Sequence, residues 1–256
     1  MPSPLQADVY VSSRLKMAIF RLGEPSSFSH ITCTLIHGTS EAVLIKSTAP
    51  GRTLKYVYIT HGHGDHCFGI PTLRKHWPEL RALTTPGTVA HMTEQPKPED
   101  LEGLWMALFP NRQIVQPPDL TLPEPMDSDV FELEGNKFHI VEVGHTDTYN
   151  TTVLHVPSRL RLVIAGDAVY GDMHQYFGEA NTALNPHTVI AGHKRAGTVD
   201  GVFNVHQTRQ YILDFEDVVG KAESWMEVVE ELKRRYPNRI NPHAILRGDG
   251  CVSGAG

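Results

Sequence analysis

The stretch Tyr56-Val57-Tyr58-Ile59-Thr60-His61-Gly62-His63-Gly64-Asp65-His66 places an apolar, strand-forming run directly before three imidazoles and a carboxylate crowded into six residues. Few structural needs would assemble that set. Neutral imidazole nitrogens and carboxylate oxygens are the usual ligands of zinc and related divalent ions. The interleaved glycines are expected to let a tight loop turn successive side chains toward one point. In an extended segment His61 and His63 point the same way, whereas Asp65 and His66 face a neighbouring position as the chain turns into a helix. That alternation allows two adjacent metal positions.

Working outward, the same arrangement of chemistry at the end of an apolar run recurs three times: His145 in Val143-Gly144-His145-Thr146, Asp167 in Ile164-Ala165-Gly166-Asp167, and His193 in Ala191-Gly192-His193-Lys194. Runs rich in β-branched residues predict strands at Met17–Phe20, Ile31–Ile36, Ala42–Ile45, Tyr56–Ile59, Phe138–Val143, Thr151–Val156, Leu160–Ala165 and Val189–Ala191. Glu134-Gly135-Asn136-Lys137 supplies a turn between apolar flanks, hence a hairpin. Helices are predicted over Ile70–His76, Thr88–Met92, His206–Val218 and Ala222–Arg235. In the last of these, Trp225, Val228, Val229 and Leu232 form a core-facing stripe. The Pro-rich stretches Gln95–Pro98 and Pro117–Pro125 read as surface connections and candidate cleft walls. This order suggests two layers of sheet with helices outside them.

His-x-His-x-Asp-His after a buried strand resembles the signature of the metallo-β-lactamase superfamily, and the three later pieces follow in that family's order. The resemblance runs from about Ile31 to His193. It implies an α/β fold, the four-layer αβ/βα sandwich, with residues 1–200 as catalytic domain and 201–256 as a helical extension packed on it. It also implies two zinc or similar divalent ions per chain. One would be held by His61, His63 and His145, the other by Asp65, His66 and His193, with Asp167 bridging. The implied reaction is hydrolysis of a small acyl compound (a lactone, ester or thioester) by a metal-bound hydroxide, in the manner of fungal and bacterial relatives of secondary metabolism. Asp65 is the candidate proton shuttle. Tyr170, three residues after Asp167, has the spacing of a substrate-facing tyrosine in similar lactone hydrolases, and His174, Asp147 and Lys194 are candidates for ligand support or substrate contact.

Composition bounds the alternatives. A formal charge of −6 over 256 residues offers no basic surface for a nucleic-acid backbone. No run approaches a membrane span and the first ten residues lack a leader pattern, so a cytoplasmic protein without membrane or nucleic-acid partners is expected. The three cysteines, Cys33, Cys67 and Cys251, have no metal-ligand spacing; Cys67 reads as a small buried hydrophobe at a helix start. Of the 15 histidines, His37, His76, His91, His139, His155, His187, His206 and His243 join no constellation. Two departures from the family pattern stand out. Lys46 occupies the position where the family carries an aspartate that braces the metal loop, and short connections before Tyr56 and between His174 and Pro186 imply loss of one or two family helices. These leave two other readings open: a mononuclear-iron redox branch of the superfamily, and an inactive metal-binding relic.

Overall fold

The computed structural model describes residues 9–10, 16–22, 31–37, 40–45, 53–98, 101–106, 119–157, 161–175, 188–195 and 198–246. Lys46, Cys33's side chain, Cys251 and the segment between His174 and Pro186 that bears on the second shortened connection lie wholly or largely outside them. The first sheet is ordered β1 (Val9–Tyr10), β2 (Lys16–Leu22), β3 (Ile31–His37), β4 (Glu41–Ile45), β5 (Thr53–Tyr58), β6 (Arg81–Thr84) and β7 (Glu124–Pro125). Its early strands pair antiparallel, and β4 through β7 run parallel. The second sheet contains β8 (Val130–Leu133), β9 (Asn136–Gly144), β10 (Thr151–Val156), β11 (Leu162–Ile164) and β13 (Thr188–Ile190), in the order β13-β11-β10-β9-β8. Between β11 and β13 in sequence, β12 (Tyr170–Gly171) returns to the first sheet by pairing with β14 (His193–Lys194), which in turn meets β3 at Ile31. The predicted hairpin is β8–β9, turning at Glu134 and Gly135, both with positive φ (47° and 73°), as a tight two-residue connection requires.

The two sheets face each other because their strands alternate. Ile36, Val43, Tyr56, Tyr58 and Leu83 of the first sheet pack against Phe131, Leu133, Phe138, Ile140, Leu154, Leu162 and Ile164 of the second. Phe138 is wholly buried there, so Phe138→Ala would cost ~3–5 kcal/mol. The opposite residues of the first sheet, Leu35, Ala42, Leu54, Val57, Ile59 and Ala82, are covered by α1 (Gly64–Cys67), α2 (Ile70–His76), α3 (Pro86–Met92) and a π-helical turn at Leu101–Trp105. Cys67 is part of that apolar layer. On the outer face of the second sheet, Val153, Val163, Val189 and Ala191 meet Val205 of α4 (Phe203–Val219). The arrangement is helix, sheet, sheet, helix.

α4 has two contact faces. Thr208 Oγ1 donates to the Tyr170 carbonyl (3.0 Å) and accepts from the Tyr170 amide (3.1 Å), fixing α4 to β12. Tyr211, Phe215 and Val218, one helical turn apart, meet Val228, Val229 and Leu232 of α5 (Trp225–Arg235). This is the stripe the periodicity predicts. Ser224 caps α5 by accepting from the Glu227 amide (3.3 Å). The shortened connection also has a structural counterpart. Parallel strands β4 and β5 are neighbours joined by residues 46–52 alone, where such crossovers normally take about a dozen residues or more. Among the described residues no helix is long and apolar enough to cross a membrane.

Candidate metal centre

The metal-binding loop leaves β5 at a point anchored to both sheets. The Ile59 carbonyl accepts from Thr84 Oγ1 of β6 (2.7 Å), and the Thr60 carbonyl accepts from both the amide (2.8 Å) and the hydroxyl (2.7 Å) of Thr152 in β10. Tyr58 OH and Thr152 Oγ1 are a further 2.7 Å apart in the buried interior. Thr60 Oγ1 lies 3.0 Å from His61 Nδ1, which leaves Nε2 as the nitrogen presented to the centre. The glycines serve a purpose other than the one expected. Neither Gly62 nor Gly64 has a positive φ. A Cβ on Gly62 would stand 2.5 Å from the His91 ring, so that glycine is required by close packing. Gly192 likewise sits where a side chain would collide with the Gly166 backbone and Asp167.

Donor atoms from four strand ends converge. His61, His63 and Asp147 form one group, Asp65, His66 and His193 a second, and His61, His66 and Asp167 a third, each with its donors within 4.8 Å of one another. Asp167 stands between the halves. Its Oδ1 is 3.4 Å from His66 Nε2, while its Oδ2 is 2.7 Å from His193 Nε2 and 3.9 Å from His61 Nε2. Asp65 Oδ2 lies 3.7 Å from His66 Nε2 and 3.9 Å from His193 Nε2. Around a tetrahedral ion with ligands at ~2.0–2.2 Å, donors sit roughly 3.3–3.6 Å apart, so these separations suit a shared cation. Four buried atoms here have no hydrogen-bond partner: His61 Nε2, His66 Nε2, Asp147 Oδ2 and Asp167 Oδ1. Buried polar atoms are ordinarily satisfied, and four such imidazole and carboxylate atoms brought together are a set that divalent cations would satisfy.

Charge in the ion-free protein is sorted accordingly. Burial, with His66 nearby, pushes His61 down to about 3, so it is neutral. Burial also opposes a charge on His63, but Asp147 beside it wins and raises that imidazole to about 9. Asp167 is held well below the usual carboxylate range because His193, His66 and His61 outweigh its desolvation. Tyr170 is raised well above the usual phenol range by burial and by Asp167, and its hydroxyl donates to Asp167 Oδ2 (2.9 Å).

The metallo-β-lactamase superfamily model matches residues 34–200, well over half of the chain. The chain belongs to that superfamily. Solved structures agree on the fold. A β-lactamase domain protein from Burkholderia ambifaria is 16% identical with a TM-score of 0.59, the match covering 95% of this chain and 87% of that one. A metallo-β-lactamase from Pontibacter korlensis is 14% identical with a TM-score of 0.53, over 80% and 97% of the two chains. No curated protein sequence matches.

Against the superfamily pattern, five residues differ in placement from the expectation. His145 is exposed, its ring 6.1 Å from that of Tyr149, because Gly144 at φ 74° turns the chain at the end of β9. Asp147, expected to support the ligands or contact substrate, instead faces His63 and His61 and is 3% exposed. His174 turns its Nδ1 to Tyr211 OH of α4 (2.6 Å), away from an expected substrate contact. Lys194 is wholly buried with its ammonium paired to Asp200, so it offers no surface to a substrate. Tyr170 is also buried, stacked on the His193 ring at 5.2 Å.

Three residues beside the centre escaped the sequence reading. His91 is buried with its ring 5.5 Å from that of His63. Gln95 Oε1 accepts from the Gly64 amide (3.2 Å) and from Trp105 Nε1 (3.1 Å), clamping the metal loop from the side of α3. The one available signal was the four-residue spacing of His91 and Gln95, whose Nε2 atoms lie 3.3 Å apart.

Proposed function

We propose that this superfamily member hydrolyses a small acyl substrate, a lactone, ester or thioester, with two zinc or similar divalent ions. The observation carrying the reading is the convergence of four buried, unpartnered donor atoms in the space that His61, His63, Asp65, His66, Asp167 and His193 surround. When bound, a pair of divalent cations supplies water of lowered pKa and polarises an acyl carbonyl. Asp167, with its oxygens divided between His66 and His193, holds the two halves together and balances their charge. Asp65, whose side chain keeps a tenth of its surface, takes the proton of the attacking water and returns it to the leaving group. Tyr170 remains a protonated phenol that fixes Asp167; in this geometry it is a positioning residue. The exposed Tyr149, its ring 4.7 Å from that of His91 beside His63, brings aromatic surface to that side, which suits an acyl group of apolar character better than a polyanion.

The test is elemental analysis of protein purified without chelator, alongside turnover of lactone, ester and thioester panels. About two divalent ions per chain with turnover supports the proposal. One iron per chain moves the protein to the redox branch, and no retained metal makes the inactive relic the reading to pursue.

A further inference from the structure

We infer that Asp147, not His145, completes the first metal position, so that each half of the centre is built from two imidazoles and one carboxylate. This inference rests on the dinuclear reading above. Asp147 Oδ2 lies 3.1 Å from His63 Nδ1 and 3.8 Å from His61 Nε2, on either side of the separation expected for donors around one ion. It is buried, has no hydrogen-bond partner, and faces the equally unpartnered His61 Nε2. The charge now beside it is that of a protonated His63, whose place a divalent ion held between the same atoms would take, since metal ligands bind in their deprotonated form.

The backbone explains the exchange of roles. Gly144 takes a left-handed conformation, and the register between β9 and β10 slips at Thr151–Thr152. Thr146 N then donates to the Thr148 carbonyl (3.0 Å), and Thr151 Oγ1 closes on the same carbonyl (2.8 Å). In this compact turn His145 is turned outward and Asp147 inward. Thr146 Oγ1 holds Asp147 Oδ1 at 3.1 Å, leaving Oδ2 for the centre.

The consequence is chemical. With Asp65, Asp147 and Asp167, three carboxylates would face two divalent cations, and the first position gains an anionic oxygen where an imidazole would leave it neutral. Oxygen donors favour harder ions, so manganese or ferrous iron should compete with zinc better than at an all-histidine position. The two positions, having the same donor types, should also fill with similar affinities.

The experiment is calorimetric titration of the metal-stripped full-length chain with Zn²⁺ and, separately, Mn²⁺, for wild type, Asp147→Asn and His145→Ala. Two equivalents for wild type, one for Asp147→Asn and two for His145→Ala are expected. Loss of an equivalent in His145→Ala, or retention of both in Asp147→Asn, overturns the assignment while the dinuclear reading survives. A wild-type chain that binds neither metal overturns both. If circular dichroism shows Asp147→Asn misfolded, the exposed His145→Ala variant still decides, since an outward residue cannot remove a metal.

Discussion

Two regions of this protein bury titratable side chains at strand ends, and they treat them in opposite ways. At the metal loop, His61, Asp147 and Asp167 are buried and His66 half-buried, each with a buried donor atom left unpartnered. Beneath α4 and α5, His174 bonds Tyr211, Lys194 pairs with Asp200, and Arg239 donates to the Met173 carbonyl (2.6 Å) while lying 4.3 Å over the Tyr211 ring. The ionisable groups of the second region satisfy one another, and the atoms left unpartnered between residues 175 and 241, Gln175 Oε1, Asn204 Oδ1, Trp225 Nε1 and Asn241 Oδ1, belong to neutral groups; at the metal loop the unpartnered atoms are imidazole nitrogens and carboxylate oxygens, which a cation would satisfy. Burial and polarity alone therefore do not mark a functional site. The mark is unpaired donors that converge.

The largest way to break the comparison is Asp167→Ala. It removes the carboxylate between the two halves, and hydrolysis should fall to background with loss of bound metal, read by turnover and elemental analysis. Retention of two ions would remove Asp167 from the bridging position. Next, Lys194→Met belongs to the satisfied region. Breaking its pair leaves Asp200 uncompensated, and because the Asp200 side chain keeps 16% of its surface the loss should sit at the low end of the roughly 3–5 kcal/mol typical of buried pairs. Denaturant midpoints measure that loss, and metal content should not change. A changed KM at unchanged stability would restore Lys194 to the substrate.

How far this division was legible in the sequence depends on what each residue's signal contained. His61 through His66 were readable because the preceding strand fixes where they emerge, and Asp167 and His193 were readable for the same reason. His145 and Asp147 sit two residues apart in a turn, and which of them faces inward depends on Gly144's φ and on the β9–β10 slip, neither of which spacing encodes. His174 and Lys194 resembled site residues because they follow strands; α4, thirty residues further on, supplies the tyrosine that occupies one of them. β6 went unpredicted because Arg81–Thr84 is too short to show alternation, and its strand character comes from neighbours β5 and β7.

The satisfied region should also set an acid limit on stability. Burial, with Arg239 and Lys233 nearby, pushes His174 down to about 4, against an ordinary value of 6.5. The folded protein keeps this imidazole neutral where the unfolded chain charges it. Stability is therefore intact above about pH 6.5 and falls as the pH drops toward 4, by about 2–3 kcal/mol from this residue. Denaturant midpoints of metal-stripped protein between pH 7.5 and 4.5 should show a shallower fall for His174→Gln than for wild type. Equal slopes would show that His174 is hydrated in the folded state.

The smallest predicted effect concerns what supports the metal loop. The resemblance puts Lys46 where a bracing aspartate is expected, yet the loop is held: Gln95 Oε1 accepts from the Gly64 amide, inside the motif, and from Trp105 Nε1. Gln95→Ala strips both donors of their acceptor and loosens the turn that presents Asp65 and His66. Removal of such outer support typically weakens metal affinity by about 10–100-fold. Because the Gly64 amide opens α1, the turn that carries Asp65 and His66, the weakening should fall on one binding step of a metal titration and spare the other. Equal loss at both steps would mean that Gln95 supports the fold of the loop as a whole, and no loss would pass the bracing role to the Thr60, Thr84 and Thr152 anchors at the end of β5.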